Sequence, residues 1–287
     1  MRFFEYSEPA TLDEAVTLLR TYPGQTSLMA GGTDLMVQMK EHIRQPDCVI
    51  SILKIPGMDD FSYDEHNGLT LGALVTTRAV ETSPLTQTHY ASLARAVTDF
   101  ASIQVRNRAT VVGNVCRASP SADTLPPLIA DGAVLHIYGP EGCRRTTVED
   151  FCTGSGKTTL RAGEIVTHIR IPAPAPNTGK AYIKHGRRTQ MELATVGVAV
   201  TLTLEGGNCR AISIVLAAVA PTPLRARAAE ALLRGKPITT AAIAAVAQAA
   251  SDEARPIGDV RATAEYRRDM VKVLTRRAIE QAIKEAL

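Results

Sequence analysis

Two glycine-containing segments, about eighty residues apart, constrain the fold of this chain more than any other feature. One covers residues 27–35, with the letters SLMAGGTDL, and the other covers residues 106–123, with the letters RNRATVVGNVCRASPSAD. In each, an apolar run leads into glycine and small polar residues. Glycine has no Cβ, so the backbone can approach a bulky anion, and free backbone N–H groups favour negative charge. We therefore predict two turns that each leave an apolar strand and together clamp one phosphate-bearing ligand.

Length and composition are those of a globular protein with two domains. Of the 287 residues, 45% are hydrophobic and 21% are charged, which is enough apolar surface for a substantial core. The formal net charge of +3 is too small for this length to indicate nucleic-acid binding. No segment approaches roughly eighteen consecutive apolar residues, and the N-terminus has no apolar stretch of the signal-peptide kind. We expect a cytoplasmic protein that does not span a membrane.

The five cysteines are an odd number, widely spaced, and none lies in a Cys-x-x-Cys motif or at metal-ligand spacing from a histidine. They are Cys48, Cys116, Cys143, Cys152 and Cys209. This pattern predicts free thiols in a reducing compartment, no metal site, and no iron–sulfur cluster held by this chain alone.

The first part of the chain reads as two α/β subdomains. Thr11 and Glu14 form a capping box, which predicts a short helix that ends before Pro23-Gly24. The predicted strands lie at 27–30, 48–53, 68–73, 133–138 and 165–171. Helical segments between them place one subdomain at about 1–55 and the other at about 56–175. The proline-rich segment 172–179 is the clearest linker and divides a domain over 1–175 from one over 180–287.

The second part predicts an antiparallel sheet covered by helices, so the fold class is α+β. The predicted strands lie near 180–184, 193–204 and 211–220, and the predicted helices at 224–233, 239–251 and 262–286. Glu205-Gly206-Gly207-Asn208 is a hairpin turn. The last helix is amphipathic, and its predicted buried stripe is Tyr266, Met270, Val273, Leu274, Ala278 and Ala282.

No catalytic group is evident from the residues. The letters GSGKTT at 154–159 resemble a nucleotide-triphosphate loop, but Phe151 stands where that motif needs its first glycine, so a surface turn is favoured. None of the six histidines lies in a recognisable triad, and no nucleophile elbow or pair of catalytic carboxylates can be assigned. Loops that clamp a ligand, without catalytic side chains, indicate a protein whose cofactor performs the chemistry.

Several motifs, in the same order, resemble the medium, FAD-binding subunit of the molybdenum hydroxylases, the xanthine dehydrogenase and carbon monoxide dehydrogenase family. They are residues 30–35, 106–114, 118–123, 154–158, 188–199 and 259–268. The resemblance implies an N-terminal FAD-binding domain of the p-cresol methylhydroxylase type, made of two α/β subdomains. It further implies a C-terminal domain with a three-stranded antiparallel sheet and helices. FAD would be bound non-covalently, with its pyrophosphate between the two glycine loops.

By motif position, the resemblance assigns the cofactor site to three groups of residues. The first loop contributes Met29, Ala30, Gly31, Gly32, Thr33, Asp34 and Leu35. The second contributes Thr110, Gly113, Asn114, Ser119 and Asp123, with Asp123 expected at the ribityl or ribose portion. Lys184, Glu192 and Leu193 are expected to come from the second domain, toward the flavin ring.

Three positions depart from the usual family pattern. Val112 stands where the family commonly has glycine, and a β-branched side chain there is expected to restrict φ and limit backbone approach. The family often has aspartate where Glu192 stands, and some relatives have an aromatic residue where Leu193 stands. These two differences count mildly against a specialised carbon monoxide dehydrogenase.

The function implied is electron transfer. A large partner subunit would carry the molybdenum cofactor, and a small partner would relay electrons through two [2Fe–2S] clusters to the FAD of this chain. The terminal acceptor stays open. One alternative is a self-sufficient flavin-dependent oxidase of small alcohols, of the vanillyl-alcohol type. The other is a scaffold subunit that has lost FAD, for which Val112 is the only indication.

Overall fold

A computed structural model of the protein describes residues 2–22, 25–188 and 191–287. The chain begins with a small parallel sheet of three strands in the order β1-β3-β2. Its elements are β1 (Glu5–Ser7), α1 (Leu12–Thr21), β2 (Thr26–Met29), α2 (Leu35–Lys40) and β3 (Cys48–Ser51). Thr11 caps α1 as predicted, because its Oγ1 accepts a hydrogen bond from the amide of Glu14, while the Glu14 carboxylate accepts from the amide of Ala10, one residue before the cap. The helix ends at Thr21, and the predicted stop at Pro23-Gly24 lies outside the described residues.

A five-stranded antiparallel sheet follows, in the order β4-β5-β10-β6-β7. Its strands, with the β8–β9 hairpin, are β4 (Phe61–Asp64), β5 (Gly68–Gly72), β6 (Val134–Gly139), β7 (Gly142–Thr147), β8 (Cys152–Gly154), β9 (Lys157–Thr158) and β10 (Ile165–Ile171). The helices are α3 (Thr77–Thr82), α4 (Pro84–His89), α5 (Ala91–Thr98), α6 (Ile103–Arg106), α7 (Val111–Arg117), α8 (Leu125–Ala130) and α9 (Val148–Phe151). The letters GSGKTT form the turn and second strand of the β8–β9 hairpin, as predicted.

The apolar run before Gly113-Asn114 is a helix, so the prediction of a strand there was wrong. Thr110 caps α7, since its Oγ1 accepts a hydrogen bond from the amide of Gly113 at 2.9 Å. Val111, Val112 and Val115 are all buried, a spacing that places one helix face on the core. Burial of this face therefore outweighs the strand preference of three valines.

The C-terminal part is an antiparallel sheet with helices on one side. Its elements are β11 (Thr178–His185), β12 (Val196–Glu205), β13 (Asn208–Ala217), β14 (Leu224–Arg225), α10 (Arg227–Leu233), α11 (Thr240–Glu253) and α12 (Ala264–Ala286). The three predicted strands are joined by the two-residue β14 at one edge, in the order β11-β12-β13-β14. Gly206 and Gly207, with φ of +56° and +81°, make the predicted hairpin turn.

Both faces of the C-terminal sheet are buried. Val198 and Val200 of β12 belong to the core under α10, α11 and α12, whereas Ala199 belongs to the core of the preceding domain, where α5 and α8 pack. This explains the nearly continuous apolar sequence of β12. The sheet therefore separates the two hydrophobic cores and contributes side chains to both, and every second residue of β11 faces the N-terminal part.

The buried stripe of α12 agrees with the prediction in the second half of the helix and is displaced by one residue at its start. Leu274, Ala278 and Ala282 are buried as predicted, but Tyr266 is 44% exposed and its neighbour Arg267 is 3% exposed. Among the described residues, no helix is both long and apolar enough to cross a bilayer.

Candidate functional site

The first glycine segment forms a loop between β2 and α2 whose backbone amides are free. Gly32 has a φ of +74°, a left-handed conformation that glycine adopts without strain. Within the described part of the chain, the amides of residues 30–35 donate no hydrogen bond to another backbone group. The loop and the start of α2 therefore present consecutive unpaired N–H donors, an arrangement that favours an anion.

The second glycine segment lies directly against this loop. A Cβ built on Gly31 would lie 1.9 Å from the carbonyl oxygen of Arg108 and 3.1 Å from the Cα of Ala109. Because both obstacles are backbone atoms, no side chain fits at position 31 unless the two segments move apart. The structure thus brings together two segments that are far apart in sequence.

An ion pair ties the same two segments at their other ends. Arg117 Nε lies 2.8 Å from Asp34 Oδ2, with both side chains about half exposed, and Gln38 also donates to the Asp34 carboxylate. Sequence reasoning did not find Arg117, since nothing in its neighbourhood indicates a distant acid. Asp34 therefore neutralises the guanidinium and supports the loop.

Helix α7 follows directly after the Arg108–Ala109 backbone that contacts the first loop. Gly113 is exposed and Val112 is 4% exposed, so the valine side chain points into the core and not toward the loop. The expectation that Val112 restricts backbone approach was therefore wrong, because the residue is helical and a valine is accommodated there. Thr110 is buried and acts as the helix cap, while Asn114 Oδ1 accepts from Thr124 Oγ1 at 2.6 Å.

Asp123 lies at the junction of the two domains, where its carboxylate is held by protein donors. Tyr182 Oη donates to Oδ1 at 2.7 Å, and Lys184 Nζ donates to Oδ2 at 2.8 Å and to the carbonyl oxygen of Asp99 at 3.0 Å. Burial raises the pKa of Asp123, although Lys184 and Tyr182 oppose this effect. Burial and the nearby Asp123 carboxylate raise the pKa of Tyr182 well above its usual value, so the phenol stays neutral and donates.

A second buried pair lies on the same face of β11. Lys180 Nζ lies 2.8 Å from Asp131 Oδ2, and 4.3 Å from the centroid of the Tyr90 ring. Thr201 Oγ1 donates to the other oxygen of Asp131 at 2.7 Å. Sequence reasoning missed Lys180 and Tyr182, although their spacing of two from each other and from Lys184 indicates one strand face.

The remaining predicted site residues are half-buried or exposed. Ser119 Oγ accepts from the amide of Ser121 at 3.4 Å, and Thr33 and Met29 are half-buried. Leu193 is 50% exposed. Arg188 Nε donates to Glu192 at 2.9 Å, and this bond lowers the pKa of Glu192. Within the matched motif over 188–199, residues 189 and 190 lie outside the described residues.

The β8–β9 hairpin closes the site from a third direction. The amide of Gly156 donates to the carbonyl oxygen of Ala118 at 2.9 Å, and Ala118 itself has a left-handed φ of +48°. A Cβ on Gly156 would lie 3.3 Å from Nη1 of Arg117. The hairpin thus supports the end of α7 and is not a nucleotide-triphosphate loop.

These residues fit a dinucleotide better than a metal or a nucleophile. Six consecutive free amides suit a diphosphate, and the close contact at Gly31 keeps them beside the Arg108–Ala109 backbone of the second segment. In the described residues, no group of three or more His, Cys, Asp or Glu side chains could hold a metal ion. The five cysteines are free thiols. The fold and site therefore define a class, that of a protein whose loops suit an anionic cofactor.

The comparisons with known proteins name the family. Residues 2–174 match the family model described as the FAD binding domain in molybdopterin dehydrogenase, and residues 181–282 match the CO dehydrogenase flavoprotein C-terminal domain. The chain therefore belongs to the FAD-binding medium subunits of the molybdenum hydroxylases, which are oxidoreductases.

Individual relatives agree with this assignment over nearly their whole length. The xanthine dehydrogenase FAD-binding subunit of Escherichia coli O157:H7 is 31% identical over 99% of this chain and 97% of its own. The carbon monoxide dehydrogenase medium chain of Hydrogenophaga pseudoflava is 35% identical over 97% of this chain and 96% of its own. A solved structure of carbon monoxide dehydrogenase from that organism, lacking the Mo-pyranopterin moiety of its cofactor, superimposes with a TM-score of 0.95 and 37% identity, covering 99% of this chain and 98% of its own.

Proposed function

We propose that this chain is the electron-transfer subunit of a molybdenum-containing hydroxylase or dehydrogenase, with FAD held between the loops at 29–35 and 110–123. The observation that carries the proposal is the run of free amides at 30–35, placed against the second segment by the contact between Gly31 and Arg108. FAD, when bound, supplies a centre that accepts electrons singly and releases them singly or in pairs.

The residues of the chain would bind and orient the cofactor rather than react. The free amides of the first loop, which include those of Gly32, Thr33 and Leu35, would stabilise the negative charge of a diphosphate. Gly113 leaves space on the opposite wall, and the side-chain Nδ2 of Asn114 is a further donor there. Met29, Ala30, Asp34 and Ser119 complete the lining in this proposal.

The C-terminal domain supplies the side of the site that would face the flavin ring. In this proposal Lys184, which is ion-paired with Asp123, sets how close β11 lies to the second loop. Glu192 and the half-exposed Leu193 would flank the ring. The proposed division into domains 1–175 (subdomains of about 1–55 and 56–175) and 180–287 places this face on the second domain.

The proposed partners follow from the names of the relatives. A medium chain implies a large subunit, which would carry the molybdenum cofactor, and a small subunit, which would carry [2Fe–2S] clusters. Electrons would enter from the small subunit and leave to an acceptor that we leave open.

The proposal is tested by cofactor binding and by reduction in the assembled complex. The full chain should bind FAD in a fluorescence titration, and chains that co-purify with it should include a molybdenum protein and an iron–sulfur protein. In that complex, addition of the reducing substrate should bleach the flavin absorbance. A complex whose iron–sulfur clusters are reduced while the flavin stays oxidised would contradict electron transfer through this chain.

The same preparation separates the two alternatives. Steady-state oxidation of a small alcohol by this chain with FAD, in the absence of partners, would indicate a self-sufficient oxidase. Failure to take up FAD in the assembled complex would indicate a scaffold.

A further inference from the structure

Arg267, near the start of α12, holds three separate parts of the chain together from a buried position. It is 3% exposed. Its Nη1 donates to the carbonyl oxygens of Thr195 at 2.6 Å and Ala218 at 3.0 Å, and its Nη2 donates to Asp259 Oδ1 at 2.8 Å. These acceptors serve both terminal nitrogens of a buried guanidinium, so the contacts specify the local geometry.

Asp259 is itself fixed by the backbone that follows it. Its Oδ1 accepts from the amides of Arg261 at 2.9 Å and Ala262 at 3.2 Å, in addition to Arg267. These bonds, led by that of Arg261, lower the pKa of Asp259 to about 2, so the carboxylate is ionised at any working pH. The motif over 259–268 therefore has a physical role, which is to present a rigid guanidinium fork.

Ala218 connects this fork to the second cofactor loop. Its carbonyl accepts from Arg267, while its amide donates to the carbonyl oxygen of Pro120 at 2.8 Å. Ala218 has a φ of +63°, a left-handed conformation that non-glycine residues adopt only when their surroundings enforce it. Pro120 lies between Ser119 and Ser121 in the loop that ends at Asp123. Two hydrogen bonds on one strained residue thus join α12 to that loop.

The other acceptor of Arg267 leads to the flavin-ring side of the proposed site. Thr195 directly follows the segment Glu192-Leu193-Ala194. Its amide donates to the carbonyl oxygen of His185 at 2.8 Å. One guanidinium nitrogen therefore bonds both the segment that follows Leu193 and the residue that supports Pro120.

We propose that Arg267, oriented by Asp259, is a positioning residue for FAD: through Ala218 and Thr195 it sets the second loop and the 192–194 segment relative to each other. The proposal rests on the proposed function, since it assumes FAD beside residues 119–123. Arg267 itself would touch no cofactor atom.

The test measures FAD affinity and hydrogen exchange in the full chain. Arg267→Lys keeps the charge but loses the fork, and Asp259→Asn keeps the shape but loses the charge. We expect each to weaken FAD binding by about tenfold or more, the size of effect that corresponds to one lost hydrogen bond to a charged group. We also expect faster exchange of the Ala218 amide. Ala218→Val should weaken binding in the same way, because valine avoids the left-handed conformation, whereas Ala218→Gly should bind as the unchanged chain does.

A matched control separates positioning from general stability. Glu230 is 1% exposed and accepts from the amide of Ile214 and from Arg225 and Arg234, and none of its hydrogen bonds among the described residues reaches the cofactor loops. Glu230→Gln should lower the melting temperature without changing FAD affinity or flavin potential. If Arg267→Lys and Asp259→Asn behave like Glu230→Gln, the positioning role is wrong although FAD binding by the unchanged chain stands. If the unchanged chain binds no FAD in its complex, both proposals fail.

Discussion

The ammonium of Lys184 and the carboxylate of Asp123 form an ion pair of 2.8 Å in which each side chain is less than a tenth exposed. The pair joins β11 to the loop before α8, across the boundary between the two parts of the chain. Asp123 was expected at the sugar chain of the cofactor. That contact stays a prediction, and in the structure the carboxylate bonds Tyr182 and Lys184 of β11.

Replacement of Lys184 should make stability depend on pH in a defined direction. In Lys184→Met, Asp123 keeps the burial that raises its pKa and loses the cation that opposes it. The native state then holds a proton at pH values where an unfolded aspartate, with a pKa of about 4, has lost it. Stability should therefore fall as pH rises above about 4, with a loss of about 3–5 kcal/mol near pH 8 and a smaller loss near pH 5.

Urea denaturation at the two pH values measures this effect. The double variant Asp123→Asn/Lys184→Met removes the unpaired charge and should recover most of the free energy of unfolding. Equal losses at pH 5 and pH 8 in the single variant would show that Asp123 does not sense the missing ammonium.

Substitution of Gly31 should separate the two cofactor loops. In Gly31→Ala the new Cβ would meet the carbonyl oxygen of Arg108 at 1.9 Å, so the loops must move apart. We expect FAD affinity to fall by at least about tenfold, measured by flavin fluorescence. Gly258→Ala is the control, because its Cβ would make only ordinary contacts of 3.7 Å and longer. Undiminished affinity in Gly31→Ala would place the cofactor elsewhere.

The stacked histidines of the five-stranded sheet should weaken the fold in acid. His136 and His168 lie 4.0 Å apart between ring centroids, and burial, His168, Arg145 and Arg170 lower the pKa of His136 to about 4. Between about pH 6.5 and 4 the unfolded chain binds a proton that the folded chain does not, so stability should fall as pH falls. The ring is partly exposed, so we expect no more than about 1 kcal/mol.

Denaturation midpoints between pH 7 and 4 test this expectation. His136→Gln should flatten the pH dependence, and His66→Gln, in the exposed β4–β5 turn, serves as the control. If the denaturation midpoint of His136→Gln depends on pH as strongly as that of the unchanged chain, the acid sensitivity comes from other groups.

Thiol reactivity should be confined to one cysteine in the folded chain. Cys143 is exposed and Cys48 is buried, and burial raises the pKa of Cys116 to about 12 and of Cys152 and Cys209 to about 11. The three thiols with a raised pKa are protonated at pH 8, and iodoacetamide should modify the accessible Cys143 first. Mass spectrometry of the labelled chain measures this, and Cys143→Ser should remove the fast reaction. Rapid labelling of Cys209 would contradict the structure.

Replacement of Val112 by glycine should destabilise this chain. Val112 is buried in α7, so Val112→Gly removes core contacts and adds backbone freedom, at a loss of about 2–4 kcal/mol. FAD affinity should stay the same, because the side chain points away from the loop. Val112→Ala removes the core contacts without adding the backbone freedom of glycine, so it measures the packing loss alone. Tighter FAD binding by Val112→Gly would restore the view that this valine limits backbone approach.

Features that depend on neighbouring residues alone were predictable from the sequence. The helix cap at Thr11, the hairpin turn at Gly206-Gly207 and the β8–β9 turn rest on local backbone preferences, and the structure has all three. The motif order likewise indicated the family that the comparisons name. These inferences do not require knowledge of the tertiary contacts.

Tertiary structure decided the rest. The helix at 111–117 forms because the core receives Val111, Val112 and Val115 on one face, which outweighs the strand preference of valine. The sequence motif included Arg267, but its burial and its contact with Ala218 depend on how α12 meets the sheet. The partners of Asp123 lie 59 and 61 residues away in sequence. A buried charged group pairs with a residue that tertiary packing places beside it, and that residue can be distant in sequence. Local sequence therefore determines the turns, whereas long-range packing determines the buried ion pairs.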